Sequence, residues 1–254
     1  MEDRMKHAWA VIPARGGSKA IPNKNLARVG GLTLIARSVL AAQSADIFEA
    51  VVVSTDCRAI AEEAKQLGAN VVDRPPELSH DFASSESAVA HALDASGQLG
   101  LGPLPDVTVM MQPTSPFVKP RDLNNLVQAV NSFDVCFTIT PDHAFLWRRN
   151  TDGVLTPVQH DPSSARKPRQ LLGQQFRETG AAYAMRTAGF LVHMNRFFGK
   201  IGGVVVDPSS SMEIDEYSDL ISARSLAGAG GHGVTPSDDQ ESAAPSHEGC
   251  NHYR

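Results

Sequence analysis

The stretch A-W-A-V-I-P-A-R-G-G-S-K-A-I-P-N-K-N, residues 8–25, begins as an unbroken apolar run and ends as a loop rich in glycine and cations. An apolar run without polar alternation reads as a strand buried on both faces, as in the interior of a parallel sheet. After it, Gly16 and Gly17 lack the Cβ atoms that would keep an anion away from backbone N–H groups. Arg15, Lys19 and Lys24 supply three cations, and Asn25 adds a donor. The spacing is not that of a P-loop. On its residues alone the loop reads either as an anion cradle or as a solvated turn with surface lysines.

Working outward, apolar runs alternate with amphipathic stretches. Strands are expected at 50–54, 70–72, 107–111, 135–140, 181–185 and 203–206, and helices at 33–44, 57–67, 84–96, 121–132 and 216–226. Serines at the start of 84–96 are suited to cap that helix. The alternation predicts an α/β chain with a mainly parallel, Rossmann-like sheet covered by helices on both faces. Ligands of such sheets sit beyond the carboxyl ends of the strands, so chemistry is expected in the loops after Pro13, Ser54 and Met111.

Four regions follow from this reading. Residues 1–140 form the core, and 141–176, polar and basic with weak strand signals, form an insertion. Residues 177–226 complete the core. Residues 227–254, poor in large apolar side chains, are expected to be disordered. Gly228, Gly230 and Gly233 fit a dinucleotide fingerprint in spacing, but no strand precedes them, so no cofactor site is assigned there.

Bulk composition narrows the classes. The 254 residues are 42% hydrophobic and 20% charged, enough for a sizeable core. A formal net charge of −5 disfavours a nucleic-acid partner, which calls for a basic stripe. Cys57, Cys136 and Cys250 are sparse and unpaired in spacing, with no zinc pattern, which suits a reducing compartment. The apolar run near the start, broken by Pro13 and Arg15, is too short for a signal sequence or a membrane span. A cytoplasmic protein with no membrane partner is the expectation. His143, His160 and His193 read as surface or packing residues. His247, Cys250 and His252 lack the fixed setting a metal site needs.

The loop A-R-G-G-S-K-A-I-P-N-K-N-L resembles the nucleotide-binding signature of the CMP-sialic acid synthetase (acylneuraminate cytidylyltransferase) family, with Ala20 where the family has glycine. Further matches follow in family order: V-S-T-D at 53–56, R-P-x-E-L at 74–78, A-S-S at 83–85 and Q-P-T-S-P at 112–116. P-R-Q at 168–170, G-A-x-Y at 180–183 and E-I-D at 213–215 complete the set. The resemblance spans residues 8–226 and implies a Rossmann-like nucleotidyltransferase fold that moves CMP from CTP to a sialic-acid-like sugar acid.

It also implies roles. Arg15, Gly16, Gly17, Lys19, Lys24 and Asn25 would handle the CTP phosphates and ribose, and Arg74, Ala83 and Ser85 would read cytosine. Gln112, Arg169, Gln170 and Tyr183 would meet the acceptor, Arg169 through its carboxylate. Glu213 and Asp215, two apart on a strand-like segment, would share a side and hold Mg²⁺, a hard ion that takes oxygen ligands. Arg15, Lys24 and Asp215 would carry the catalysis. The family implies a homodimer, with 141–176 as the dimerisation arm and Phe197–Phe198 reaching across; read as bare sequence, that pair belongs in the core.

Some positions depart from the family. Glu213 stands where it has aspartate. R-E-T-G-A at 177–181 puts Glu178 and Thr179 where proline and asparagine are expected, and H-A-F-L-W-R-R after His143 lacks a lysine that sialic acid synthetases carry there. These changes fall toward the acceptor and keep open another acidic acceptor, such as a deoxy-octulosonate or a phosphonate. A nucleotide-binding protein without catalysis is the other class left standing.

Overall fold

The computed structural model describes residues 7–166 and 173–229. In chain order the strands are β1 (Ala8–Pro13), β2 (Arg28–Val29), β3 (Leu32–Thr33), β4 (Ala50–Thr55), β5 (Asn70–Asp73), β6 (Val107–Met111), β7 (Val135–Pro141), β8 (Trp147–Arg149), β9 (Leu155–Pro157), β10 (Phe176–Arg186) and β11 (Ile201–Val205). The helices are α1 (Leu34–Ser44), α2 (Arg58–Gln66), α3 (Ser85–Asp94), α4 (Pro120–Ala129), α5 (Thr187–His193) and α6 (Tyr217–Ala229). Seven strands form one sheet in the order β11-β7-β10-β6-β1-β4-β5. All its pairings are parallel except those of β10, which runs antiparallel to both β6 and β7. None of the described helices is long and apolar enough to cross a membrane.

Side-chain alternation along β1 builds both halves of the core. Ala8, Ala10 and Ile12 pack with Ile35 and Val39 of α1, Ile60 of α2, and Leu123 and Leu126 of α4. Trp9 and Val11 point the other way, toward Val89 and Leu93 of α3 and Phe190 of α5. Two helix starts are set by hydroxyl caps. Thr33 accepts from the Ala36 N–H at 3.1 Å, and Ser84 from the Ser87 N–H at 3.0 Å. At α4, Pro120 takes the first turn, where its missing N–H costs nothing.

Several expectations need correction. The helix α5 went unread, and β10 begins five residues before its expected start. The insertion carries a two-stranded β8–β9 hairpin, its turn held by Asn150 Oδ1 accepting from the N–H groups of Asp152 and Val154 at 3.1 and 2.8 Å. Its surface is also less polar than its composition suggests, since Leu146, Trp147, Val154, Leu155 and Val158 are exposed. The final helix reaches Ala229 and includes Gly228; the rest of the expected disordered tail, with its histidines and Cys250, lies outside the described residues. His160 packs edge-on against Phe145 and Trp147, and His193 stacks on Phe198.

The ladder between β10 and β7 is interrupted beside the carboxyl end of β6. Glu178 pairs with Ile139, yet Tyr183 pairs with Phe137, so residues 179–182 bulge outward. Thr138 fills the gap. Its hydroxyl lies 2.6 Å from that of Thr179 and accepts from the Ala182 N–H at 3.3 Å, pairing groups the broken ladder leaves over. Within the bulge Gly180 adopts φ +72°, and a Cβ there would lie 2.9 Å from a carboxylate oxygen of Glu213. Left-handed backbone costs an L-residue about 1–2 kcal/mol. Gly180→Ala is therefore expected to lower unfolding free energy by about 1–3 kcal/mol, read as a shift in the urea midpoint. Adding Glu213→Asp should recover the steric share and leave the backbone share.

Candidate functional site

The sheet order reverses direction at β1: β4 and β5 lie to one side of it, and β6 to the other. Such a switch point opens a crevice beyond the strand ends. Here it is a cleft of about 270 Å³ lined by Pro13, Arg15, Gly17, Ser18, Lys24, Asn25, Arg74, Asp81, Ala83, Ser84, Ser85, Gln112, Pro113 and Thr114. Its walls come from the loops after β1 and β6, the segment after β5 and the start of α3.

The first loop is tied down at several points. The Gly16 N–H donates to Asp56 Oδ1 at 2.8 Å, and Asn25 Nδ2 donates to the Arg15 carbonyl at 2.9 Å. Both groups thus brace the loop, and Asn25 also lines the cleft. Gly17 remains open, with no atom within 4 Å of where a Cβ would stand. Arg15 and Lys19 both pair with Asp81, at 3.1 and 2.7 Å. Hydrogen bonding from Lys19, aided by Arg15, holds that carboxyl below the usual aspartate range.

Arg74 forms the buried back of the cleft. Its Nε donates to Ser54 Oγ at 3.1 Å and its Nη2 donates to the Ser54 carbonyl. Burial pushes its pKa down to about 10; Asp56 opposes that shift and Arg15 adds to it. A cation so buried gains from an electron-rich ligand edge. Ala83 and Ser85 lie on the same wall, with Ser85 in the first turn of α3.

Opposite them, Lys24 Nζ donates to the Ile214 carbonyl at 2.8 Å and pairs with Asp215 at 3.3 Å. The segment bearing Glu213 and Asp215 is irregular rather than a strand. It keeps the expected alternation because Ile214 turns inward, fully buried against Ile21, Val29, Leu34 and Leu220. Asp219 then fixes the exit by accepting from the N–H groups of Asp215 and Glu216 at 2.9 and 2.8 Å, a capping contact at the start of α6. Burial, and then the charge of Asp215, raise the Glu213 pKa. Two carboxylates that repel one another gain from a shared cation. Among the described residues no group of three or more His, Cys, Asp or Glu is arranged to hold a metal, so further ligands would have to come from a bound molecule or water.

Tyr183 does not line this cleft. It is buried between strands, stacked on Phe137 and edge-on to Phe197, and its hydroxyl donates to Glu178. Burial, followed by that bond, raises its pKa. Arg196 lies over its ring at 4.7 Å and pairs with Glu86 of α3 at 2.6 Å. Phe197 and Phe198 pack partly buried against this core cluster. Gln112 lines the cleft, while Arg169 and Gln170 lie outside the described residues. Four participants were missed from sequence: Asp56, Asp81, Ser84 and Thr114. Asp56 could have been found as the acid closing V-S-T-D at a strand end; the partners of Asp81 lie too far along the chain to be read.

Residues 9–190 match the family model described as cytidylyltransferase. N-acylneuraminate cytidylyltransferase A of Danio rerio is 32% identical over 185 residues, 71% of this chain and 41% of that protein. CMP-N,N'-diacetyllegionaminic acid synthase of Legionella pneumophila is 41% identical over 123 residues, 47% of this chain and 51% of that protein. The chain thus spans about half the length of these curated relatives. The solved CMP:2-keto-3-deoxy-manno-octonic acid synthetase, complexed with CTP, shares the fold with a TM-score of 0.64 at 17% identity, covering 88% of this chain and 99% of that one. The chain belongs to the cytidylyltransferase family.

Proposed function

We propose that this protein transfers CMP from CTP to a sialic-acid-like (nonulosonic) sugar acid, releasing pyrophosphate. The observation that carries this reading is the convergence, in one cleft at the switch point, of Arg15, Lys24, Arg74, Ser85 and Gln112. The Glu213–Asp215 segment is drawn to it through Lys24. The family match and the relatives that activate acidic sugars support it.

In this reading Arg74, Ala83 and Ser85 hold the base, while Arg15, Lys19 and Lys24 meet the phosphates. The acceptor hydroxyl attacks the α-phosphorus; a new P–O bond forms as the bond to pyrophosphate breaks. The leaving group departs toward Arg15 and Lys19, whose charges offset the negative charge building on it. The site acts chiefly by alignment and charge. Mg²⁺ would be held by Asp215 and Glu213, offsetting phosphate charge and making the acceptor hydroxyl easier to deprotonate. Gln112 positions the acceptor, and Arg169 pairs with its carboxylate.

A second acceptor reading is favoured by Glu178 and Thr179. Both stand where the family pattern has other residues; Thr179 bonds within the bulge and Glu178 accepts from Tyr183. An acid related to sialic acid, or a deoxy-octulosonate or phosphonate, fits that change. The exposed apolar side chains of the β8–β9 hairpin support a homodimer joined through this arm. A cytoplasmic site of action accords with the CTP-dependent chemistry.

Pyrophosphate release from CTP and Mg²⁺ over a panel of acidic acceptors is expected to identify a substrate. Tight CTP binding with no turnover on any acceptor would leave a binding protein instead. Arg15→Ala should cut kcat/KM by about 10²-fold or more with the melting temperature unchanged, and near-normal rates would mean the loop is misassigned. Glu213→Asp should preserve or raise metal-dependent rates; a loss as deep as that of Asp215→Ala would contradict a role as an interchangeable carboxylate ligand.

A further inference from the structure

Two of the three cations of the loop after β1, Arg15 and Lys19, share one internal counter-ion. Asp81 Oδ1 lies 3.1 Å from Arg15 Nη1, and Oδ2 lies 2.7 Å from Lys19 Nζ. One carboxylate therefore spans a guanidinium and an ammonium with its two oxygens, the geometry those groups would offer a phosphate. Asp81 itself lines the cleft, on the turn between the short helix Pro76–Leu78 and α3. Lys19 is 80% exposed, and Asp81 is the contact that fixes its long side chain.

Resting on the CTP reading, we propose that Asp81 is an internal stand-in for phosphate. It orders Arg15 and Lys19 in the free protein and competes with the incoming polyphosphate for them. When phosphate oxygens take the two cations, the Asp81 charge loses its partners and faces further negative charge. Affinity for the polyphosphate is thereby lowered, and departure of the polyphosphate product is assisted as Asp81 returns. The exchanged contacts are largely solvent-exposed ion pairs, each of modest strength, so the expected effect is small in affinity but definite in sign.

Titration calorimetry on the full chain in EDTA tests this with CTP, inorganic triphosphate and cytidine as probes. Asp81→Asn keeps the side-chain shape and removes the charge. It should bind CTP and triphosphate about two- to tenfold more tightly than the wild type and leave cytidine binding unchanged. Asp81→Glu, which keeps the charge, should stay near wild-type affinity. Equal or weaker triphosphate binding by Asp81→Asn at an unchanged melting temperature would overturn the proposal and make Asp81 a buttress of the loop. Equal tightening of cytidine binding would also overturn it, as would a wild type that binds no triphosphate. Triphosphate binding that follows the expected pattern, with no preference for CTP, would strike the nucleotide reading and leave the ion exchange standing.

Discussion

The hydrogen bond from Lys24 Nζ to the carbonyl of Ile214 joins two ends of the chain that share no strand pairing. The loop after β1 and the acidic segment before α6 are both irregular, and neither has a ladder to hold it in place. Around that bond Ile21 and Ile214 pack together with Val29, Leu34, Leu220 and Ala223. Burying a side chain of that size contributes about 1.5–3 kcal/mol, so the small cluster can resist the mutual repulsion of Glu213 and Asp215. Asp219 completes the arrangement by holding the backbone of Asp215 from the helix side. The distance between the cation-bearing wall and the carboxylate wall is thus a matter of packing rather than of the central sheet.

The parts legible in the sequence were those with local causes. The buried run 8–13 and the strand at 107–111 stand out because they are apolar without interruption. The start of α3 stands out because serines open it, and Ser84 caps it. The loop after β1 was legible for its cations, and the family motifs located Arg74, Ser85 and Gln112, which the fold brings into one cleft. What escaped was non-local. Nothing in residues 176–186 says that this strand runs antiparallel between β6 and β7. The seven residues of α5 are too few to display a helical period. The bracing of the loop by Gly16 and Asn25 was not legible, because Asp56 and the Arg15 carbonyl, which accept from them, are reached only through the fold.

The region beside the bulge is built around a buried ring. Tyr183 sits opposite Phe137 in the sheet, and its hydroxyl donates to Glu178 at the far edge of the bulge. Arg196 covers the ring and reaches across to Glu86 on α3, the helix whose first turn faces the cleft. Residue 178 is therefore not an isolated substitution relative to the family pattern. Its carboxylate is linked through phenol and guanidinium to Glu86 in the first turn of α3, the helix whose start lines the cleft.

The placement of β10 also bears on how the molecule comes to be made. β6 and β7 are separated by fewer than 25 residues in sequence, yet they never touch as neighbours in the sheet, because β10 lies between them. During synthesis the strands β6, β1, β4 and β5 are all available once Met111 has emerged. The β7 edge must wait, unpaired, until residue 186 is free. An open strand edge is a template for unwanted association, and a strand that closes the sheet late must find its place over a long sequence separation. The bulge at 179–182 is seated with β10, while β11 and the segment bearing Glu213 still have to follow, so the part of the cleft beside Glu213 depends on the latest-made residues of the sheet.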